Sequence, residues 1–287
     1  MPQIKPFHRQ AALAFAAMPS KMLIGGVLLT AIIIIAVLGP WVAPYQYDQM
    51  SILARMKPPS AAHWFGTDEL GRDVFSRTLV GAQMSLAIGL GATALSLVAG
   101  VPLGLLCGYK RGRFDEIVMR CMDVLLSMPP IMLGLLFLAV SQPSAWKAIL
   151  AVGFVYIPVI VRLTRALTLD LANEDFIEAA RARSERTWYI LLREILPNAW
   201  PTIAVEGSLR ITFAILLGAA LSFLGMGAQP PSPEWGLMIS GARPFIAQAP
   251  WVALAPGLSM CLTVIAVNLF GDGLREAIDP RTGSRGH

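Results

Sequence analysis

The stretch EAARARSERTWYILLREILPN, Glu178 to Asn198, stands apart from the rest of the chain. Of 287 residues, 55% are hydrophobic and only 14% charged, yet here arginines and glutamates alternate with bulky apolar side chains. The mean hydropathy is +0.62, above what a soluble domain shows, and several uncharged runs exceed the roughly 18 to 20 residues that cross about 30 Å of hydrocarbon. The chain therefore reads as an all-α, polytopic protein of the lipid bilayer. A charged amphipathic stretch in such a chain belongs outside the membrane, and the number of spans decides on which side.

Charge-free windows locate the spans, because a charged side chain at a helix centre costs about 2.5 to 3.5 kcal/mol on insertion scales. They predict six transmembrane helices, at 22–42, 85–107, 117–140, 148–167, 201–224 and 252–270. In the fourth, Arg162 and Arg165 are expected to snorkel at the end. The first follows Lys5, Arg9 and Lys21 and is too long for a signal-peptide core, so it reads as a retained span. Six spans put sixteen lysines and arginines on one side; Arg55, Lys57, Arg72, Arg77, Lys147 and Arg243 fall on the other, and Arg210 lies within a span. Positive residues concentrate on the cytoplasmic side. Both termini and the Glu178 segment are therefore expected in the cytoplasm, in a multi-pass protein of a bacterial inner membrane.

This divides the chain into a cytoplasmic tail at 1–21, a first span at 22–42 and a periplasmic segment with an amphipathic helix at 43–82. A core of five spans at 83–274 follows, containing the cytoplasmic helical segment 173–198, and a cytoplasmic tail ends the chain at 275–287. The net charge of +5 needs no nucleic acid as partner, since the same lysine and arginine bias explains it. Cys107, Cys121 and Cys261 lie in or beside apolar runs without paired spacing, and His8, His63 and His287 are scattered, so no metal site is expected. Gly100, Gly104 and Gly108 fall four apart and line one helical stripe where another backbone can approach closely. Pro129, Pro130 and Pro158 predict kinks. These features fit ordinary helix packing as well as a bundle that moves.

Asn173 is predicted to cap a short helix with Glu174 and Asp175 in its first turn and Arg181 and Arg183 near its end, charges that complement the helix dipole. Phe176, Ala179, Ala180 and Arg183 recur at helical spacing, and the two alanines give a shallow face for a partner. Ser184 is a second candidate cap. Beyond it Trp188, Leu191, Leu192, Ile195 and Leu196 form an apolar stripe, which Pro197 is expected to end. Such a segment serves equally as a docking surface or as a helix resting on headgroups.

Glu178-Ala179-Ala180, followed by Ile195-Leu196-Pro197-Asn198, resembles the EAA loop of membrane subunits of bacterial ATP-binding-cassette importers. Three further stretches, FGTDELGRDVFSR (65–77), ALSFLGMGAQPPSPEWG (220–236) and LTVIAVNLFGDGLREAIDPR (262–281), look like the C-type permease subunit of dipeptide, oligopeptide and nickel importers. The resemblance implies a type I, MetI-like bundle of six transmembrane helices. It implies a coupling helix carrying Phe176, Glu178, Ala179, Ala180, Arg183, Ser184, Leu196 and Pro197 in a cleft of an ATPase. It further implies a homologous B-type permease partner, two cytoplasmic ATPase domains or subunits and a periplasmic substrate-binding protein. Ser184 stands where that family usually has glycine, which predicts a less sharp bend.

Physically, Thr67 is expected to cap a periplasmic helix with Asp68 and Glu69 in its first turn and an apolar face of Val74, Phe75, Thr78 and Leu79. The prolines of QPPSPEWG predict a stiff, extended loop with Trp235 near the membrane interface. Glu206 and Arg210, four apart in the fifth span, have the order of a helical ion pair and are the candidates for the translocation path, although a purely structural pair fits the same spacing. Asp123 is expected to pair with Arg120. The chain holds no GxxxxGK[ST] loop, no GxSxG elbow and no HExxH. It is therefore read as no enzyme and as holding no cofactor of its own, with ATP used by partner subunits. Two rival readings are a gradient-driven transporter or channel relaying ions through Glu206 and Asp123, and a membrane scaffold that does not transport.

Overall fold

The computed structural model describes residues 19–140 and 142–278. Among them the regular structure is helical, with one isolated antiparallel bridge between Thr67 and Asp73. Most of both expected tails, including Lys5, Arg9, Arg281 and Arg285, lies outside the described residues. The passes begin with α1 (Ser20–Val42), which buries Gly25, Ala36 and Gly39 and turns its larger side chains outward. Next comes α2 (Val74–Lys110), capped by Asp73, whose carboxylate accepts from the Ser76 N–H at 2.8 Å.

The helix expected from a Thr67 cap does not form. Gly71, at φ +73°, takes a left-handed turn, and a β-carbon there would run into the Ser51 backbone. The Asp68 carboxylate instead accepts from the backbone N–H groups of Leu70 and Arg72, each at 2.9 Å, and from Arg72 Nε at 2.6 Å. Residues 43–73 thus form a largely irregular segment with one 3-10 turn at Ile52–Ala54, and the helix starts at Val74. Arg77 ties this segment to the far loop, donating to the Tyr47 carbonyl at 2.8 Å and the Ser232 carbonyl at 3.3 Å.

The third expected span is two helices, α3 (Gly112–Leu126) and α4 (Pro130–Ala139), bent by 94°. Pro130 cannot donate a backbone hydrogen bond and drives Pro129 to an extended ψ of 136°, so the helix stops and restarts. Then follow α5 (Ala145–Leu171), the short α6 (Asp175–Ala182), α7 (Thr187–Phe223), α8 (Trp235–Ala242) and α9 (Trp251–Ile278). Five of these are long and apolar enough to cross a membrane, and the bent pair is a sixth pass if taken as one.

Glycine contacts give the direction of each pass. Gly91 of α2 lies against Ile149 of α5, Gly100 against Ile160, Gly104 against Thr164 and Gly108 against Thr168, so α2 and α5 run parallel. A chain leaving α2 at Lys110 and entering α5 at Ala145 must return along the height of the bundle. The α3–α4 pair makes that return, which completes six passes. Gly207 against Leu97 and Gly89 against Ile215 make α7 antiparallel to α2, and Gly25 against Phe270 with Gly273 against Met22 make α9 antiparallel to α1. The two described ends meet, with Lys21 Nζ 3.7 Å from Glu276. The glycine stripe at 100, 104 and 108 does what its spacing predicts: a β-carbon at Gly104 would sit 2.6 Å from Thr164 Cβ and 2.7 Å from the Val161 carbonyl.

Arg162 and Arg165 do not simply snorkel. Arg162 pairs with Asp123 and Arg165 with Asp115, pinning α3 across α5 at two points. Asp123 is therefore held by Arg162 rather than Arg120. At the opposite end Trp235 is buried, not interfacial, and donates to the Thr78 carbonyl at 3.0 Å. Beside it the Glu234 carboxylate caps α8, accepting from the N–H groups of Gly236 at 2.9 Å and Leu237 at 2.8 Å. Burial pushes its pKa above the usual carboxylate range, against the pull of those donors.

Candidate functional site

At 37 residues, α7 is about 55 Å long and overreaches the roughly 30 Å of hydrocarbon. Its N-terminal turns project from the face that also carries Lys110, Leu171 and both described ends, and α6 lies there with them. The capping of α6 differs from expectation. Glu174 occupies the N-cap position without a side-chain bond, while Asn173 donates to the Leu169 carbonyl at 2.9 Å and accepts from Arg111 at 3.0 Å. Asn173 thus fastens the end of α5 to the start of α3 instead of capping α6.

Ile177 and Ala180, both fully buried, seat α6 in one core with Val101, Leu105, Ile190, Leu191 and Ile195. Ala180 therefore does not share an outward face with Ala179. The exposed face carries Phe176, Glu178, Ala179 and Arg183, joined by Trp188, Tyr189 and Leu192 from the start of α7, which are 57%, 44% and 50% exposed. The reading from sequence followed Phe176, Ala179, Ala180 and Arg183 and missed Ile177, although its three-residue spacing to Ala180 marks the inward stripe. It also missed Tyr109, whose ring lies 5.1 Å from the Arg181 guanidinium carbon.

Ser184 is not a cap for the next helix. It takes the left-handed conformation, φ 57°, with its N–H on the Arg181 carbonyl at 2.9 Å and the Glu185 N–H on the Ala180 carbonyl at 3.2 Å. This is a Schellman ending for α6, so the sharp bend is retained with serine in place of glycine. Ser184→Gly is expected to raise stability by about 1 kcal/mol by relieving the left-handed strain, measured as a higher unfolding midpoint in detergent. Arg183 reaches Glu185 and Glu194, each at 3.6 Å, and spans the turn.

Pro197 does not end a helix either. Residues Ile190–Ile195 form a π-helical turn in which the Leu196 N–H bonds the Leu191 carbonyl, five residues back. The wider turn accommodates Pro197, whose ring crowds the preceding carbonyls, and the helix continues through Pro201. It also divides the expected apolar stripe: Leu191 and Ile195 turn inward, Leu192 and Trp188 outward, and Leu196 lies between.

Glu206 and Arg210 form the expected pair, with Arg210 Nε donating to Glu206 Oε1 at 2.8 Å. The pair lies level with the middle of α2, since Gly207 faces Leu97 and Ile215 faces Gly89. The Arg210 guanidinium carbon is 5.5 Å from the ring centre of Tyr156 and 5.1 Å from that of Phe213.

Residues 100–284 match the profile of the binding-protein-dependent transport system inner membrane component. The chain belongs to that family. Residues 22–59 match a second profile, the N-terminal TM domain of oligopeptide transport permease C. This family member is 41% identical, over 91% of its own length and 86% of the relative's, to a dipeptide transport system permease protein DppC of Alkalihalophilus pseudofirmus. It is 41% identical to a di/tripeptide transport system permease protein DppC of Pseudomonas aeruginosa, over 91% of this chain and 89% of that one. With a glutathione transport system permease protein GsiD of Pectobacterium atrosepticum the identity is 43%, over 90% and 86%. The fold of this permease family member resembles a chain of the MetNI methionine ABC transporter in an inward-facing conformation, with TM-score 0.60 and 18% identity, covering 71% of this chain and 96% of that one.

Proposed function

We propose that this chain is the C-type permease subunit of a peptide importer powered by ATP-binding-cassette ATPases. The observation that carries the coupling part is α6: a short helix anchored inward by Ile177 and Ala180 and exposing Phe176, Glu178 and Ala179 at a membrane exit. Its partners are a homologous B-type permease, two cytoplasmic ATPase domains or subunits and a periplasmic binding protein; ATP is consumed by the ATPases, and this chain holds no cofactor. The relatives named for dipeptides, di/tripeptides and glutathione support short peptides as cargo. The excess of basic side chains on the α6 face supports a cytoplasmic assignment for that face and for both ends, in a bacterial inner membrane.

In this reading α6 transmits ATPase closure into the ends of α2, α5 and α7, whose side chains share its core, and the bundle repacks around a path lined in part by Glu206 and Arg210. Cargo and nucleotide each have to favour one arrangement over the other for transport to follow. Co-purification tests it. Expression with the B-type permease and ATPase subunits is expected to yield a complex whose ATP hydrolysis rises with loaded binding protein. Uptake that survives ATP depletion and collapses with the proton gradient would instead favour a secondary transporter, and a complex without a nucleotide-hydrolysing subunit would leave a scaffold.

A further inference from the structure

We infer that Arg210 is the contact for the carboxylate terminus of a short zwitterionic peptide in transit, with Glu206 as its resident counter-ion when the path is empty. The inference rests on the reading of this helix face as part of the path. Arg210 and Glu206 retain 17% and 21% side-chain exposure. They lie level with the middle of the bundle, where an ionised side chain facing lipid costs several kcal/mol. Such a pair belongs against water or a protein surface.

The chemistry of the pair is specific. A guanidinium has five N–H donors and a carboxylate two acceptor oxygens. Glu206 Oε1 takes the Nε and Nη2 edge of Arg210, at 2.8 and 2.5 Å, so the Nη1 N–H groups and the outer Nη2 N–H remain for a planar, two-oxygen ligand. Tyr156 and Phe213 flank the guanidinium, and the Tyr156 hydroxyl is occupied in donating to the Phe213 carbonyl at 3.2 Å. The Tyr156 ring is thereby fixed, and the cation–π attraction on the arginine uses none of its N–H donors. A carboxylate arriving here has to share the cation with Glu206, which weakens the hold on it and favours its release. Phe213 beside it is 47% exposed.

The test uses the complete complex in proteoliposomes, with Cys107, Cys121 and Cys261 replaced by alanine and Phe213→Cys as reporter, which leaves Arg210 its Glu206 bond and the Tyr156 ring. Charged aqueous thiol reagents are expected to label the reporter, and dialanine, but not dialanine amide, is expected to protect it. Arg210→Gln should abolish that difference. Arg210→Lys, which keeps the charge but loses the fork, should weaken protection by about tenfold, and it decides the matter if the glutamine variant does not assemble. A reporter that stays unlabelled in every nucleotide state would overturn the path reading itself. Labelling with equal protection by both peptides, or protection untouched in the Arg210 variants, would overturn the carboxylate contact and leave the path standing.

Discussion

Ala179→Arg is expected to leave the protein inserted and assembled while uptake falls by about tenfold or more, the equivalent of losing about 1.4 kcal/mol of productive docking. The basis is placement. Ala179 is exposed on α6 beside Phe176 and Arg183, so a long cation there meets only what docks on the helix. ATP hydrolysis by the complex should persist and cease to respond to loaded binding protein. Ala180→Arg is the contrasting case. Ala180 is fully buried with Ile177 and Leu191, and an unpaired charge there costs about 3 kcal/mol or more, so that variant should be lost from the membrane. Coupled transport at the normal rate in Ala179→Arg would remove α6 from the coupling pathway.

Gly104→Val should abolish stable accumulation. A β-carbon at Gly104 meets Thr164 Cβ at 2.6 Å, the Val161 carbonyl at 2.7 Å and the Arg165 backbone nitrogen at 3.1 Å. Two of those neighbours are backbone and cannot rotate away. Overpacking ordinarily costs about 1–3 kcal/mol, and a clash against helix backbone belongs at the upper end, a large share of the roughly 5–15 kcal/mol that holds a domain folded. Gly257→Ala is the control, since a β-carbon there meets nothing within 4 Å. Membrane abundance and the detergent melting midpoint should fall in the first variant and hold or rise in the second. Equal abundance of both would show that α2 and α5 can part without loss of the fold.

Most passes were legible because a long apolar run with few charges is a direct energetic requirement of the bilayer, and the glycine stripe because a four-residue repeat fixes one helical face. The Glu206–Arg210 pair was legible for the same local reason. What the sequence withheld depended on partners distant along the chain. Periodicity placed Ala179 and Ala180 on a helix but could not say that Ile177 and Ala180 point inward, which only the α2 and α7 side chains decide. Asp123 had a nearer arginine at 120, yet the fold brings Arg162 to it. The prolines at 129 and 130 announced a bend; its size, 94°, was not legible from them. At Ser184 the turn, held by carbonyls of α6, overrides the residue's own preference.

The clasp between α1 and α9 has a consequence for biogenesis. Among the described passes α1 leaves the ribosome first, and its partner α9 last. Through that interval the early helix has α2 as its neighbour, through Gly39 against Leu79, and the rest of its surface suits the wait, because only Gly25, Ala36 and Gly39 become buried while most other side chains are at home among acyl chains. Closure of the bundle is therefore a late event in synthesis, made when Gly25 and Gly273 finally meet the backbone opposite.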